Sequence, residues 1–131
     1  AVLRGSGEKN PKILLIYRKD KFFDGYHMPG TVVLPGERVA QAQQRLIASE
    51  VGLPLSPLTF VDWCEVAKGP GEKENIRGQE LGFLFVAMTD SGEKPKGGEF
   101  FSLDRIPENT LGHHRVMIEK VRRWVSSGIP R

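Results

Sequence analysis

The residues whose types and spacing could do chemistry lie in one stretch: Pro29-Gly30, then Pro35-Gly36-Glu37, Arg45 eight positions after Glu37, and Glu50 followed by Gly52-Leu53. The stretch joins a tight glycine turn to a helix carrying charge, a setting in which carboxylates and a guanidinium can meet a cation or an anionic ligand. Without the glycine punctuation, Arg45 and Glu50 read as an ordinary solvated helix face. Glu37 also has a structural reading, because an acidic residue at a helix start meets the positive end of the macrodipole.

The elements that must position these residues follow from pattern. Residues 37–51 are rich in Ala, Gln, Arg and Leu and stop at Gly52, where a C-terminal glycine cap is expected, so they read as a helix. Residues 31–34 read as a β-branched strand between the two glycine turns. Residues 1–4, clipped at the start, and 12–18 read as a strand pair, and 58–67 and 100–103 as further strands. Residues 80–89 are apolar on both alternating faces, which predicts a strand in a sheet covered on both sides. Residues 68–78 and 90–98 read as loops. Asn109-Thr110 offers an N-cap to a last helix from 111 to about 126, with Val121, Trp124 and Val125 as its apolar stripe. Strands, helix, strands, helix predicts an α/β sandwich, a mixed sheet between helices, in a single domain over 1–131.

Composition narrows the class. The chain has 131 residues, 39% hydrophobic and 27% charged, which suits one domain with a core of its own. Net charge is +3 with Lys and Arg scattered, which suggests solubility and a mild preference for anionic ligands. A nucleic-acid reader would concentrate its basic residues in a stripe with aromatics. The apolar run at residues 13–16, like every other in the sequence, falls far short of the ~20 residues of a membrane span, and no leader is evident. The single cysteine, Cys64, cannot form an internal bridge and reads as core, so a cytoplasmic setting is expected. His113 and His114 adjoin at a helix start, point about 100° apart, and read as surface or capping residues.

Registered on Glu37, the stretch resembles the Nudix hydrolase family, whose signature is G-x5-E-x7-R-E-U-x-E-E-x-G-U with U aliphatic. Thr31 stands where the first glycine falls. Glu37, Arg45, Ile47, Glu50, Gly52 and Leu53 match, while Leu46 and Ser49 replace two glutamates. The strand before Met28-Pro29-Gly30, the Phe100-Phe101-Ser102-Leu103 segment and the last helix are also placed as in that family. The variant Arg45-Leu46-Ile47-Ala48-Ser49-Glu50 is similar to the box of its GDP-mannose mannosyl hydrolase branch, which attacks a sugar carbon. That branch uses a histidine in the loop before the late strand, where residues 94–99 here have none.

The resemblance implies Mg²⁺ (or Mn²⁺) held by the Gly30 carbonyl and Glu50, with Glu37 as a second acidic group on the metal or its water. Arg45 would orient carboxylates by a bidentate contact. Glu37, Arg45 and Glu50 are thus the expected catalytic residues, and Arg18, His27 and Glu80 the candidate substrate contacts. Glu80, Glu72 or Glu74 could supply a missing ligand or base. The expected function is Mg²⁺-dependent hydrolysis of a nucleoside diphosphate linked to another moiety, a nucleotide sugar among the options. The alternative is an inactive module of the same fold that binds a nucleotide or a protein. Partners are then a nucleotide-derived small molecule, with no membrane and no nucleic acid; the oligomeric state stays open, a homodimer included.

Overall fold

The structure is a computed structural model, and it describes residues 1–5, 10–21, 23–66 and 80–127. The expected loop at 68–78, with Glu72 and Glu74, lies outside the described residues.

Among the described residues six strands form one sheet: β1 (Val2–Arg4), β2 (Lys12–Lys19), β3 (Asp24–His27), β4 (Thr59–Val66), β5 (Glu80–Thr89) and β6 (Glu99–Ser102). The order is β3-β2-β1-β5-β4, with β6 also paired to β2. β1 runs parallel to β5 and antiparallel to β2, so the sheet is mixed. Two helices complete the domain, α1 (Val39–Leu46), continued by a π-helical turn over Ile47–Val51, and α2 (Gly112–Ser126).

Two cores explain why the sheet needs helices on both faces. Ile13, Leu14 and Leu15 are all 0% exposed, which a strand reaches only when covered above and below. Leu3, Ile13, Leu15, Leu84 and Val86 pack with Ile118, Val121, Trp124 and Val125 of α2. Val2 and Leu14 pack with Val51 and Leu53, at and just after the π turn. This is the α/β sandwich expected from the order of elements, and among the described residues no helix is long and apolar enough to cross a membrane.

Four local expectations change. Residues 31–34 form no strand, because the Arg45 guanidinium takes the Thr31 hydroxyl and the Val32 carbonyl that a ladder would have used. The first helix starts at Val39 rather than at Glu37; Arg38 is its N-cap and donates its backbone N–H to the Gln41 side chain. The cap of α2 is Leu111, with no side-chain bond. Thr110 instead gives its hydroxyl proton to the Pro107 carbonyl at 2.7 Å. Finally, β5 is covered on both faces only in its second half: Leu81 and Phe83 remain 58% and 57% exposed beside Trp63 and Phe60 of β4.

Gly98 marks where the loop before β6 passes β2. Its φ is +76°, and a Cβ there would collide with the Leu15 backbone carbonyl. Gly36 has a similar φ of +78° but open space around it. Gly98→Ala carries both penalties and is expected to lower Tm by roughly 5–10 °C, Gly36→Ala only the conformational one of about 1–2 kcal/mol. Thermal unfolding of the two variants checks the order; equal losses would contradict the close approach at Leu15.

Candidate functional site

The box residues fold into a staple and a free carboxylate. Glu37 turns back on the loop before it: its backbone N–H donates to the Leu34 carbonyl at 2.9 Å, and its Oε1 accepts the Leu34 N–H at 3.0 Å. Arg45 then forks onto both oxygens of Glu37, Nε to Oε2 at 2.9 Å and Nη2 to Oε1 at 2.9 Å. The same guanidinium reaches the Thr31 hydroxyl at 3.0 Å and the Val32 carbonyl at 2.8 Å. A planar fork with several donors suits this task as a lysine would not. The Arg45 pairing and the Leu34 amide hold the Glu37 carboxyl down at about 2. Glu37 therefore has its oxygens committed to Arg45 and Leu34, and the pair binds loop 31–37 to α1.

Glu50 is the contrasting case. It sits in the π turn, where Gly52 donates its N–H to the Ile47 carbonyl five residues back at 2.8 Å and Gly52 adopts a φ of +66°. Such single π turns are frequent at functional sites. The loop before β6 holds this turn from outside. Lys96 gives its backbone N–H to Val51 and its Nζ to the Ala48 carbonyl, and Gly97 gives its N–H to the Glu50 carbonyl. The Glu50 Oε2 is buried with no hydrogen-bond partner. A buried carboxylate oxygen left alone is costly, and a cation or its water would satisfy it.

Glu50, Leu46 and Gly30 line one cleft of about 970 Å³, together with His27, Arg18 and Glu80. That is the size of a small-molecule site. Ser49 stays exposed, its hydroxyl directed to the Leu46 carbonyl at 3.3 Å. Arg18 is paired with Asp20 at 2.6 Å and stacked over Phe23. Among the described residues no three metal-ligating side chains converge. The donor set thus fits Mg²⁺ that keeps waters and draws oxygens from a substrate phosphate, rather than a closed protein cage.

One residue read from sequence as surface or capping has a different place. His114 is half-buried, and its Nδ1 accepts the Met28 N–H at 3.0 Å. Burial, with like charge on His113 and His27, pushes its pKa down to about 2. The signal was the spacing 114, 118, 121, 125, which puts His114 on the buried stripe of α2. Unfolding returns the ring to its ordinary 6.5, so between pH 6.5 and about 2 the unfolded chain binds the extra proton and stability falls as pH drops. Urea midpoints are expected to decline from pH 7 to pH 5 in the wild type and less steeply in His114→Asn; equal slopes would contradict a buried neutral ring.

Comparison with known proteins identifies the class. The model of the NUDIX domain matches residues 1–124. The ADP-ribose pyrophosphatase of Methanocaldococcus jannaschii is 32% identical over 123 residues, covering 89% of this chain and 69% of that protein. Similar folds include the NUDIX domain of Shewanella oneidensis NrtR complexed with ADP ribose (TM-score 0.71, 15% identity, 95% of this chain and 83% of that one). The MutT NUDIX hydrolase from Burkholderia pseudomallei has a TM-score of 0.66 at 25% identity, over 92% and 96%. This chain belongs to the Nudix family.

Proposed function

We propose that the protein is a divalent-cation-dependent hydrolase of a nucleoside diphosphate joined to a sugar, with ADP-ribose the first substrate to try. The observation that carries this reading is the buried, unpartnered Oε2 of Glu50 on a cleft of small-molecule size. The relative named an ADP-ribose pyrophosphatase supports the substrate class. A bound Mg²⁺ or Mn²⁺ would neutralise charge on the diphosphate and improve it as a leaving group.

The chain's own residues have distinct tasks. Glu50, with the Gly30 carbonyl, holds the cation. Arg45 and Glu37 fix loop 31–37 against α1, so Glu37 acts through Arg45 on the loop's shape and its carboxylate stays off the metal. Leu46 can neither ligate nor take a proton, which leaves the helix face without a second carboxylate next to Glu50. His27 and Glu80 line the cleft as candidate substrate contacts. A missing base is tolerated best when water attacks the sugar carbon and the diphosphate departs, the chemistry a nucleotide sugar such as GDP-mannose would allow.

Turnover of ADP-ribose and GDP-mannose in ¹⁸O water with Mg²⁺ or Mn²⁺ tests the reading. Label in phosphate means attack at phosphorus, and label in free sugar means attack at carbon. Leu46 on the cleft favours one second reading, a module that binds the nucleotide without cleaving it. Binding of ADP-ribose with no turnover of either substrate above that of Glu50→Gln would establish that reading and overturn the first.

A further inference from the structure

Both backbone polar groups of Met28, its N–H and its carbonyl, meet histidine rings. His114 of α2 accepts the Met28 N–H at Nδ1, 3.0 Å away. His27 places its Nδ1 2.7 Å from the Met28 carbonyl oxygen. The two rings meet edge to face with centroids 5.6 Å apart. These contacts require opposite tautomers: a neutral His114 that accepts at Nδ1 carries its proton on Nε2, and His27, which donates at Nδ1, leaves Nε2 free.

Met28 is 2% exposed and packs in the same core as Ile118 and Val121 of α2. Just before it, Tyr26 donates its N–H to the Asn109 carbonyl at 3.0 Å, and Leu111 donates its own to the Tyr26 carbonyl at 2.9 Å. A side chain at Gly25 would strike the Asn109 carbonyl. The chain entering α2 therefore lies against β3 through an isolated bridge between Tyr26 and Thr110, and the grip continues through His114 to the turn at Met28-Pro29-Gly30. Gly30, two residues beyond the gripped peptide, is on the cleft.

We propose that His114 is a positioning residue for the cation site: α2, which contributes no residue of the box, sets through His114 and the Met28 amide where the Gly30 carbonyl stands relative to Glu50. The inference rests on the reading of Gly30 and Glu50 as the cation-binding pair. Groups that orient metal ligands in this way are worth about 10–100-fold in metal affinity or activity. His114 touches neither substrate nor cation in this account.

Three measurements on the full chain test it. In the ¹⁵N-labelled wild type, NMR should show a coupling across the hydrogen bond between the Met28 amide and His114 Nδ1; its absence overturns the proposal. In His114→Leu, which keeps bulk but removes the acceptor, amide exchange at Met28 should accelerate about tenfold and the Gly30 amide shift should move, while exchange in β2 is unchanged. Mn²⁺ affinity in the presence of ADP, followed by electron paramagnetic resonance, should weaken about tenfold in the same variant. His114→Asn retains an acceptor at the matching position and should recover most of both effects, with kcat rather than KM following the recovery.

A folded His114→Leu variant with an unchanged Gly30 amide shift and unchanged Mn²⁺ affinity overturns the proposal. Should that variant not fold, the wild-type coupling and the His114→Asn comparison decide. If Glu50→Gln leaves Mn²⁺ affinity untouched, the cation reading fails on its own account. The Gly30 amide shift in His114→Leu then still reports whether His114 holds the turn.

Discussion

Replacing Glu50 with glutamine is expected to lower kcat on ADP-ribose by on the order of 10²–10³-fold while Tm stays within a few degrees of the wild type. A cation clamped on the diphosphate is worth several kcal/mol of transition-state stabilisation, and each 1.36 kcal/mol is about tenfold in rate. Glutamine keeps the shape of Glu50 and one oxygen, but it has no charge to hold a cation. Folding should tolerate the change because Oε2 has no partner to lose. Glu37→Gln makes the contrast: it weakens the fork to Arg45 and loosens loop 31–37, so stability should fall along with activity. Steady-state kinetics paired with thermal unfolding of both variants separates the two roles. An active Glu50→Gln enzyme would remove Glu50 from the chemistry.

The second large effect is on stability. Ile118→Ala is expected to cost about 3 kcal/mol, within the 2–5 kcal/mol typical of emptying a buried aliphatic site, and to lower Tm by roughly 10–15 °C. Ile118 is 0% exposed and sits where α2 meets Leu3, Ile13 and Leu15 of the sheet. It also lies one turn beyond His114, so the cavity opens next to the Met28 grip, and Mn²⁺ affinity should weaken in the folded fraction. Val116→Ala, at a position 58% exposed on the same helix, should stay within about 0.5 kcal/mol. Urea titration of both variants is the check; comparable losses would mean that α2 is not anchored by its buried stripe.

Much of the fold was legible because periodicity and punctuation are local. The apolar run at 13–16 announced a strand, and the Gly52 cap announced where the first helical segment ends. Residues 80–89 were bounded to the residue, since polar and glycine-rich sequence flanks an uninterrupted apolar run. The box residues were also legible, because Glu37, Arg45 and Glu50 keep a recognisable spacing around the glycine turns.

What the residues do with one another was decided by tertiary contacts. Residues 31–34 have strand composition, yet their polar groups go to Arg45, fourteen positions away on the helix. The family resemblance implied Glu37 and Glu50 as two acidic groups for one cation, and folding gives them different surroundings: a two-pronged arginine on Glu37 and no hydrogen-bond partner on the buried Oε2 of Glu50. The uncovered half of β5 could not be told from the covered half, as an apolar side chain looks the same in sequence whether or not a helix reaches it. His114 shows the same limit most sharply. Its sequence distance from Met28 is 86 residues, and only the packing of α2 on the sheet brings ring and amide within a hydrogen bond. Sequence by itself determined most of the elements, the family resemblance and the residues of the box, because each is written in short-range pattern. The structure alone assigned their partners, because hydrogen bonds and burial depend on distances that the chain sets only once it is folded.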